Sequence, residues 1–189
     1  DKFRSKYLTK IRGIIGPDPD DLKSIVMLNR VIEWSEIGIN MEADQRHVEL
    51  ILKQLEMEDC RGSDIVGSQV TLDENDAKMG SEEVTQFRSL AARCNFLAAD
   101  RVDMQFACKE VCRRMSGPCT GDWEMLKKMA KYMKAHPRLV VEFRFQEAPD
   151  AVQVYVDTDY AGRRRTRRST NGGMAMLGGH LLKSWSTTQ

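Results

Sequence analysis

The sequence predicts an α/β (α+β) fold, in which helices and antiparallel strands occupy separate stretches of the chain. Between residues 81 and 137 apolar residues recur every three to four positions, which is the period of an amphipathic helix. From Arg138 onward the apolar period changes to two, as in strands. Between Leu22 and Ala43, β-branched and aromatic residues surround a turn that contains glycine, which predicts a hairpin near the start of the chain.

The composition is that of a protein with a buried core. Hydrophobic residues make up 41% and charged residues 30% of the 189 residues, a balance typical of globular rather than disordered proteins. The net charge of +1 indicates that any nucleic-acid binding depends on local basic clusters. The longest apolar runs are far shorter than the roughly 20 residues of a bilayer-spanning helix. No membrane segment is therefore expected.

The cysteines favour buried free thiols over a metal site. There are five, and no two form a Cys-x-x-Cys pair, so a zinc site is not expected. Cys94, Cys108 and Cys112 fall on apolar helical positions, which predicts an intracellular, reducing compartment, cytoplasmic, nuclear or both. The chain begins at Asp1 without a leader, so we expect it to be an internal part of a longer reading frame.

The first predicted unit covers residues 1–72. The predicted hairpin turns at Ser35–Gly38, and Asp44 follows at the position of a helix N-cap. The three-turn helix after it carries an apolar face that begins at Val48 and is expected to pack on the sheet. The proline- and aspartate-rich segment 16–21 is typical of a solvated turn, and it lacks the spacing of an EF-hand metal loop.

The second predicted unit, residues 73–137, is a bundle of three helices. A polar, glycine-broken stretch separates it from the first unit. Ser81 and two acidic residues predict the start of the first helix. The second helix ends at Gly117-Pro118, and the third runs from about Thr120 to His136-Pro137.

The third predicted unit, residues 138–189, is an antiparallel meander. Its strand candidates are Leu139–Phe143, Val152–Val156, Gly172–Leu177 and Leu181–Trp185. One face of this sheet would stay uncovered, so we expect such a fragment to be marginally stable alone.

Several blocks in this chain carry a family resemblance. Phe87–Ala98 is similar to Y-R-S-L-x-G-x-L-x-Y-L-A, Asp100–Ala107 to T-R-P-D-I-x-F-A, and Asp122–Lys134 to H-W-x-A-x-K-R-x-L-R-Y-L-K. The later blocks are similar to Y-x-D-x-D-W-A-G, R-x-S-T-S-G and L-G-G-x-x-I-S-W-x-S, and they lie at Tyr155–Gly162, Arg168–Gly173 and Leu177–Ser186. In this order they resemble the region of copia-type LTR-retrotransposon Pol polyproteins that joins reverse transcriptase to ribonuclease H. Val102 and Tyr160 depart from the proline and tryptophan of that pattern.

The resemblance implies three parts. Residues 1–72, where the match is looser, would be the end of the reverse transcriptase palm and the start of the thumb, a hairpin and a helix. Residues 73–137 would be a helical thumb or connection. Residues 138–189 would be a partial ribonuclease H-like domain with a truncated three-strand antiparallel sheet. The implied parent function is copying RNA into DNA and degrading the RNA strand.

The resemblance also implies a metal site. Asp157 matches the first catalytic aspartate of the ribonuclease H family, a ligand of Mg²⁺, and Asp159 is a second candidate ligand. The structural alternative is that both aspartates end a strand and begin a turn. The polymerase aspartates and later nuclease carboxylates have no match in the chain, so whether it is itself an enzyme stays open, and we expect no catalysis from it alone.

Two basic clusters are candidates for nucleic-acid contact. Five arginines in a turn between strands can bind phosphates bidentately; they are Arg163, Arg164, Arg165, Arg167 and Arg168. The alternatives for this cluster are an exposed loop or a nuclear-import signal. Lys127, Lys131 and Lys134 share one side of the third helix, where a solvated surface explains them equally well.

The expected partners are an RNA–DNA hybrid, DNA, RNA and the remainder of the Pol polyprotein. An alternative function is a non-catalytic nucleic-acid-binding remnant or a host-retained retroelement protein. An interaction scaffold without affinity for nucleic acid, or an unrelated fold with chance matches, are further alternatives.

Overall fold

The computed structural model describes residues 5–67, 77–162 and 167–189. These residues form two antiparallel sheets and a helical core, so the fold is α+β, as predicted. None of the helices in these ranges is long and apolar enough to cross a membrane. The boundaries at 72/73 and 137/138 stay predictions.

The first sheet contains the predicted hairpin and two further strands. Its strands are β1 (Ser24–Met27), β2 (Arg30–Ser35), β3 (Gly38–Ala43) and β4 (Val140–Arg144), in that order and all antiparallel. Ser35 and Gly38 pair across the predicted turn, which confirms the hairpin.

The tight turn between β1 and β2 was not predicted. Its two central residues, Leu28 and Asn29, have positive φ angles of 53° and 60°. A two-residue hairpin turn of this kind matches the twist of the strands, and asparagine tolerates the conformation well.

The strand predicted at Leu139–Phe143 belongs to the first sheet, so the predicted four-strand meander is wrong for this strand. β4 pairs with β3, where Ile39 lies opposite Phe143. Arg138, just before β4, donates two hydrogen bonds of 2.9 and 2.8 Å to the buried carboxylate of Glu42 in β3. An alternating pattern indicates a strand but not its partner, and this long-range ion pair favours the pairing with β3.

Helix α1 (Arg46–Gln54) follows the first sheet, as predicted. The N-cap is Gln45 and not the predicted Asp44, which lies one residue earlier and whose carboxylate accepts the backbone N–H of Arg46 at 2.9 Å. Val48, Ile51 and Leu52 are buried against α2 and α4. The prediction that this face packs on the sheet is wrong, because the helical bundle offers the larger apolar surface.

Three more helices complete the core: α2 (Ser81–Leu97), α3 (Gln105–Cys112) and α4 (Thr120–Ala135). A short 3₁₀ helix, Val102–Met104, precedes α3. The predicted helix starts at Ser81 and Thr120 are confirmed. The predicted burial of the thiols is confirmed for Cys94 and Cys108, whereas Cys112 is half-buried.

The second sheet consists of β5 (Val152–Thr158), β6 (Thr170–Leu177) and β7 (His180–Thr188), paired in sequence order. It is the predicted three-strand antiparallel sheet. Every residue of β5 is exposed, in agreement with the expectation of an uncovered sheet. The sheet rests on α3, because the Gln105 amide donates to Ser184 Oγ at 2.8 Å and Lys109 Nζ donates to Thr170 Oγ1 at 2.9 Å.

Candidate nucleic-acid interface

Asp157 lies near the end of β5, opposite Gly172 of β6. Its side chain is exposed, and among the described residues it has no hydrogen-bond or ion-pair partner. An unengaged carboxylate at a sheet edge is free to meet a cation or a nucleic-acid strand. Its role as a metal ligand stays a prediction.

Asp159 is bonded to the backbone at the start of β6. Its Oδ1 accepts the backbone N–H of Thr170 at 2.6 Å, and its own N–H donates to the Thr170 carbonyl at 3.1 Å. Two residues on, the N–H of Ala161 donates to Ser169 Oγ at 3.0 Å. These bonds join the two ends of the connection between β5 and β6.

The predicted arginine cluster falls within this connection in the sequence. Arg163, Arg164 and Arg165 lie outside the described residues. Arg167 and Arg168 are exposed, and Arg167 adopts a positive φ of 55°. Both ends of the connection are held at the end of the sheet that carries Asp157.

The described residues do not form a complete magnesium centre. Two-metal hydrolysis needs several carboxylates around ions about 4 Å apart. Within residues 5–67, 77–162 and 167–189, no group of three or more His, Cys, Asp or Glu side chains is placed to hold a metal ion. Asp157 is available, but the Asp159 carboxylate already accepts a backbone N–H.

The lysines of α4 lie on a different element from the arginines. Lys127 forms a 2.9 Å ion pair with Glu124, and Lys131 and Lys134 are exposed. α4 packs against α1 and α3, whereas the second sheet packs against α3 and β4. The lysines of α4 and the described arginines Arg167 and Arg168 therefore lie on elements that pack on α3 separately.

The Asp100–Ala107 block contains a buried ionic network that was not predicted from the sequence. Arg101 is 1% exposed; it donates to Asp103 at 2.7 Å and to the carbonyls of His136 and Pro137 at 2.9 and 3.2 Å. Burial raises the pKa of Asp103, but the hydrogen bonds and charge of Arg101 outweigh it and lower the pKa. The network ties the end of α4 to the start of α3. The close spacing of Arg101 and Asp103 was the available signal.

Known proteins resemble about half of this chain. It is 33% identical over 105 residues to the "Uncharacterized mitochondrial protein AtMg00810" of Arabidopsis thaliana, a match that covers 54% of this chain and 42% of that protein. It is 29% identical over 103 residues to the "Retrovirus-related Pol polyprotein from transposon RE2" of the same plant, which covers 54% of this chain and 7% of the polyprotein.

A third relative is the "Secreted RxLR effector protein 161" of Plasmopara viticola, 28% identical over 104 residues, with 55% of this chain and 72% of the effector covered. No protein-family model and no solved structure matches the chain. The matched region spans less than half the length of the first two relatives.

Proposed function

We propose that this chain, which is homologous to retrovirus-related Pol polyproteins of transposons, is a retroelement-derived segment that binds an RNA–DNA hybrid. The observation that carries the proposal is the set of hydrogen bonds that joins the two ends of the β5–β6 connection, from Asp159 to Thr170 and from Ala161 to Ser169. These bonds hold the two ends of the connection, in whose sequence the five arginines occur, at the sheet end that carries Asp157.

The chemistry of the arginines favours a phosphate backbone. A guanidinium donates two parallel hydrogen bonds to phosphate oxygens and keeps its charge at any physiological pH. Contacts of this kind give affinity without reading base sequence. A hybrid differs from duplex DNA in shape and in its 2′-hydroxyls, so recognition of shape is sufficient for binding here.

We also propose Asp157 as one Mg²⁺ ligand within a complete polyprotein. The metal would supply charge stabilisation and an activated water in that larger protein. The described residues do not complete such a site, so we expect the 189-residue chain to bind hybrid without cleaving it. Magnesium-dependent cleavage by the pure chain would contradict this expectation.

A salt titration tests the binding proposal. The affinity of the full chain for a labelled RNA–DNA hybrid is measured between about 50 and 200 mM salt, where each phosphate contact contributes roughly one unit to the slope of log K against log salt. Replacing the five arginines by serine should lower the affinity and reduce the slope by several units. Replacing them by lysine should keep most of the slope, because the charges remain.

A matched control separates local contacts from total charge. The serine variant changes the net charge from +1 to −4, because it removes five of the 29 lysines and arginines. The control removes five exposed cations from other parts of the chain, namely Lys6, Lys10, Arg12, Lys53 and Arg61. Equal losses in the two variants would show that the arginine cluster is not the interface.

A further inference from the structure

A groove of about 590 Å³ lies between β7 and the helices α2 and α3. Its polar lining includes Lys109 and Arg113 from α3 and its C-cap, and Ser186 and Thr188 from β7. A volume in this range accommodates a small ligand or one residue of a polymer.

The groove lies on the same sheet face as Asp157. In an antiparallel sheet, residues directly opposite one another project to the same face. Asp157 lies opposite Gly172, and Gly172 lies opposite Ser186. Thr170 and Ser184, whose side chains bond to α3, also share this face by alternation. Asp157 and Ser186 are therefore two strand spacings apart, roughly 10 Å.

Several polar atoms near the groove are buried without a hydrogen bond in the described part of the chain. They are Ser186 Oγ, Thr188 Oγ1 and Arg113 Nε. Buried polar atoms favour a hydrogen-bond partner, and one ligand with several oxygens can accept from three such neighbouring donors. A phosphate group has enough oxygens to accept from all three.

The charge of the groove fits an anion. Lys109 and Arg113 have side chains only 11% and 18% exposed. They share one carboxylate, that of Glu110, with which both form ion pairs. The three side chains together carry one excess positive charge, and their partial burial strengthens its attraction for a phosphate.

Between the groove and Asp157 the sheet surface is open. A Cβ added to Gly172 would meet nothing within 4 Å. Because Gly172 has no side chain, a polymer strand can cross β6 at this position close to the backbone. The neighbouring Gly173 differs, since its added Cβ would clash with the Trp185 ring on the other face.

We propose that the groove binds a phosphate of the nucleic-acid strand that continues across Gly172 to Asp157. This inference rests on the proposed function, because it names the path of the bound strand. The donors are the hydroxyls of Ser186 and Thr188 and the guanidinium of Arg113, with Lys109 adding charge.

The test combines Ser186→Ala with Thr188→Val in the full chain. Because neither hydroxyl has a partner among the described residues, the double variant should keep or slightly raise the urea midpoint. We expect its affinity for the labelled hybrid to fall roughly tenfold. The control is Lys183→Gln, which removes an exposed charge from the opposite face of β7 and should change affinity less than twofold.

Two probes distinguish the source of the phosphate. If the double variant loses affinity for the hybrid, the proposed path is supported. If it loses affinity for a mononucleotide alone, the groove is a free-phosphate site and the path is overturned. If both affinities are unchanged, the site itself is overturned. Should the unaltered chain not bind hybrid at all, the proposed function fails, and mononucleotide binding still decides the groove.

A second variant tests the path by obstruction. Gly172→Thr places a branched side chain between the groove and Asp157, with free space around its Cβ and a residue type that strands favour. We expect weaker hybrid binding with unchanged mononucleotide binding. Unchanged hybrid affinity would contradict a strand crossing at this point.

Discussion

Replacing Arg101 by methionine should destabilise the protein strongly. The guanidinium is buried, with a side chain 2% exposed, and it bonds to Asp103 and to two carbonyls beyond α4. Methionine fills similar space but leaves the carboxylate and both carbonyls without this donor. Removing one partner of a buried ion pair costs about 3–5 kcal/mol. With a urea dependence of about 2 kcal/mol per molar, the midpoint should fall by roughly 2 M.

The matched control is Arg30→Met. Arg30 also forms a 2.7 Å ion pair, with Asp100, but its side chain is 36% exposed. The Asp100 side chain is 12% exposed and would lose this donor, but its carboxylate still reaches water, so we expect a smaller cost of about 1–3 kcal/mol. The two variants are compared by urea unfolding followed by circular dichroism. Equal midpoints for Arg101→Met and Arg30→Met would refute the reasoning that burial makes the Arg101 network decisive.

Three further predictions follow from the same contacts. The pKa of Asp103 is lowered in the folded state, so its ionised carboxylate stabilises the protein above the unfolded pKa of 3.8. This stabilisation is lost as the pH falls through the folded pKa. In Asp103→Asn the free energy of unfolding should therefore depend less on pH in this range, as measured by urea unfolding at a series of acidic pH values. Burial raises the pKa of Cys108 to about 12 and leaves its thiol without access to solvent. Iodoacetamide at pH 8 should therefore modify the half-buried Cys60 before Cys108, as followed by mass spectrometry. Asp159→Ala should lower the free energy of unfolding by about 1 kcal/mol, because it loses a bond to a backbone N–H. Asp157→Ala should change it by no more than about 0.5 kcal/mol. Equal shifts of the thermal unfolding midpoint in the two variants would contradict this difference between the two aspartates.

The local pattern of the sequence was sufficient for most elements. Apolar spacing predicted α2 and α4 with their starts at Ser81 and near Thr120, because helix periodicity acts within a few residues. The N-cap of α2 is Gly80, however, and not the predicted capping residue Ser81. The alternation and the Gly178-Gly179 turn predicted β6 and β7 for the same reason. Resemblance over several blocks indicated the homology to Pol polyproteins.

Tertiary structure decided the partners of these elements. Alternation in 139–143 indicated a strand, but its place beside β3 depends on contacts about 100 residues apart in sequence, including Arg138 with Glu42. Likewise the sequence offered both Asp157 and Asp159 as candidate ligands, and only the bond to Thr170 separates an engaged carboxylate from a free one. The groove beside α3 combines residues from distant segments, so no local pattern contains it. Helix periodicity and strand alternation depend on neighbours in sequence, whereas strand pairing and burial depend on residues that meet only in the folded molecule.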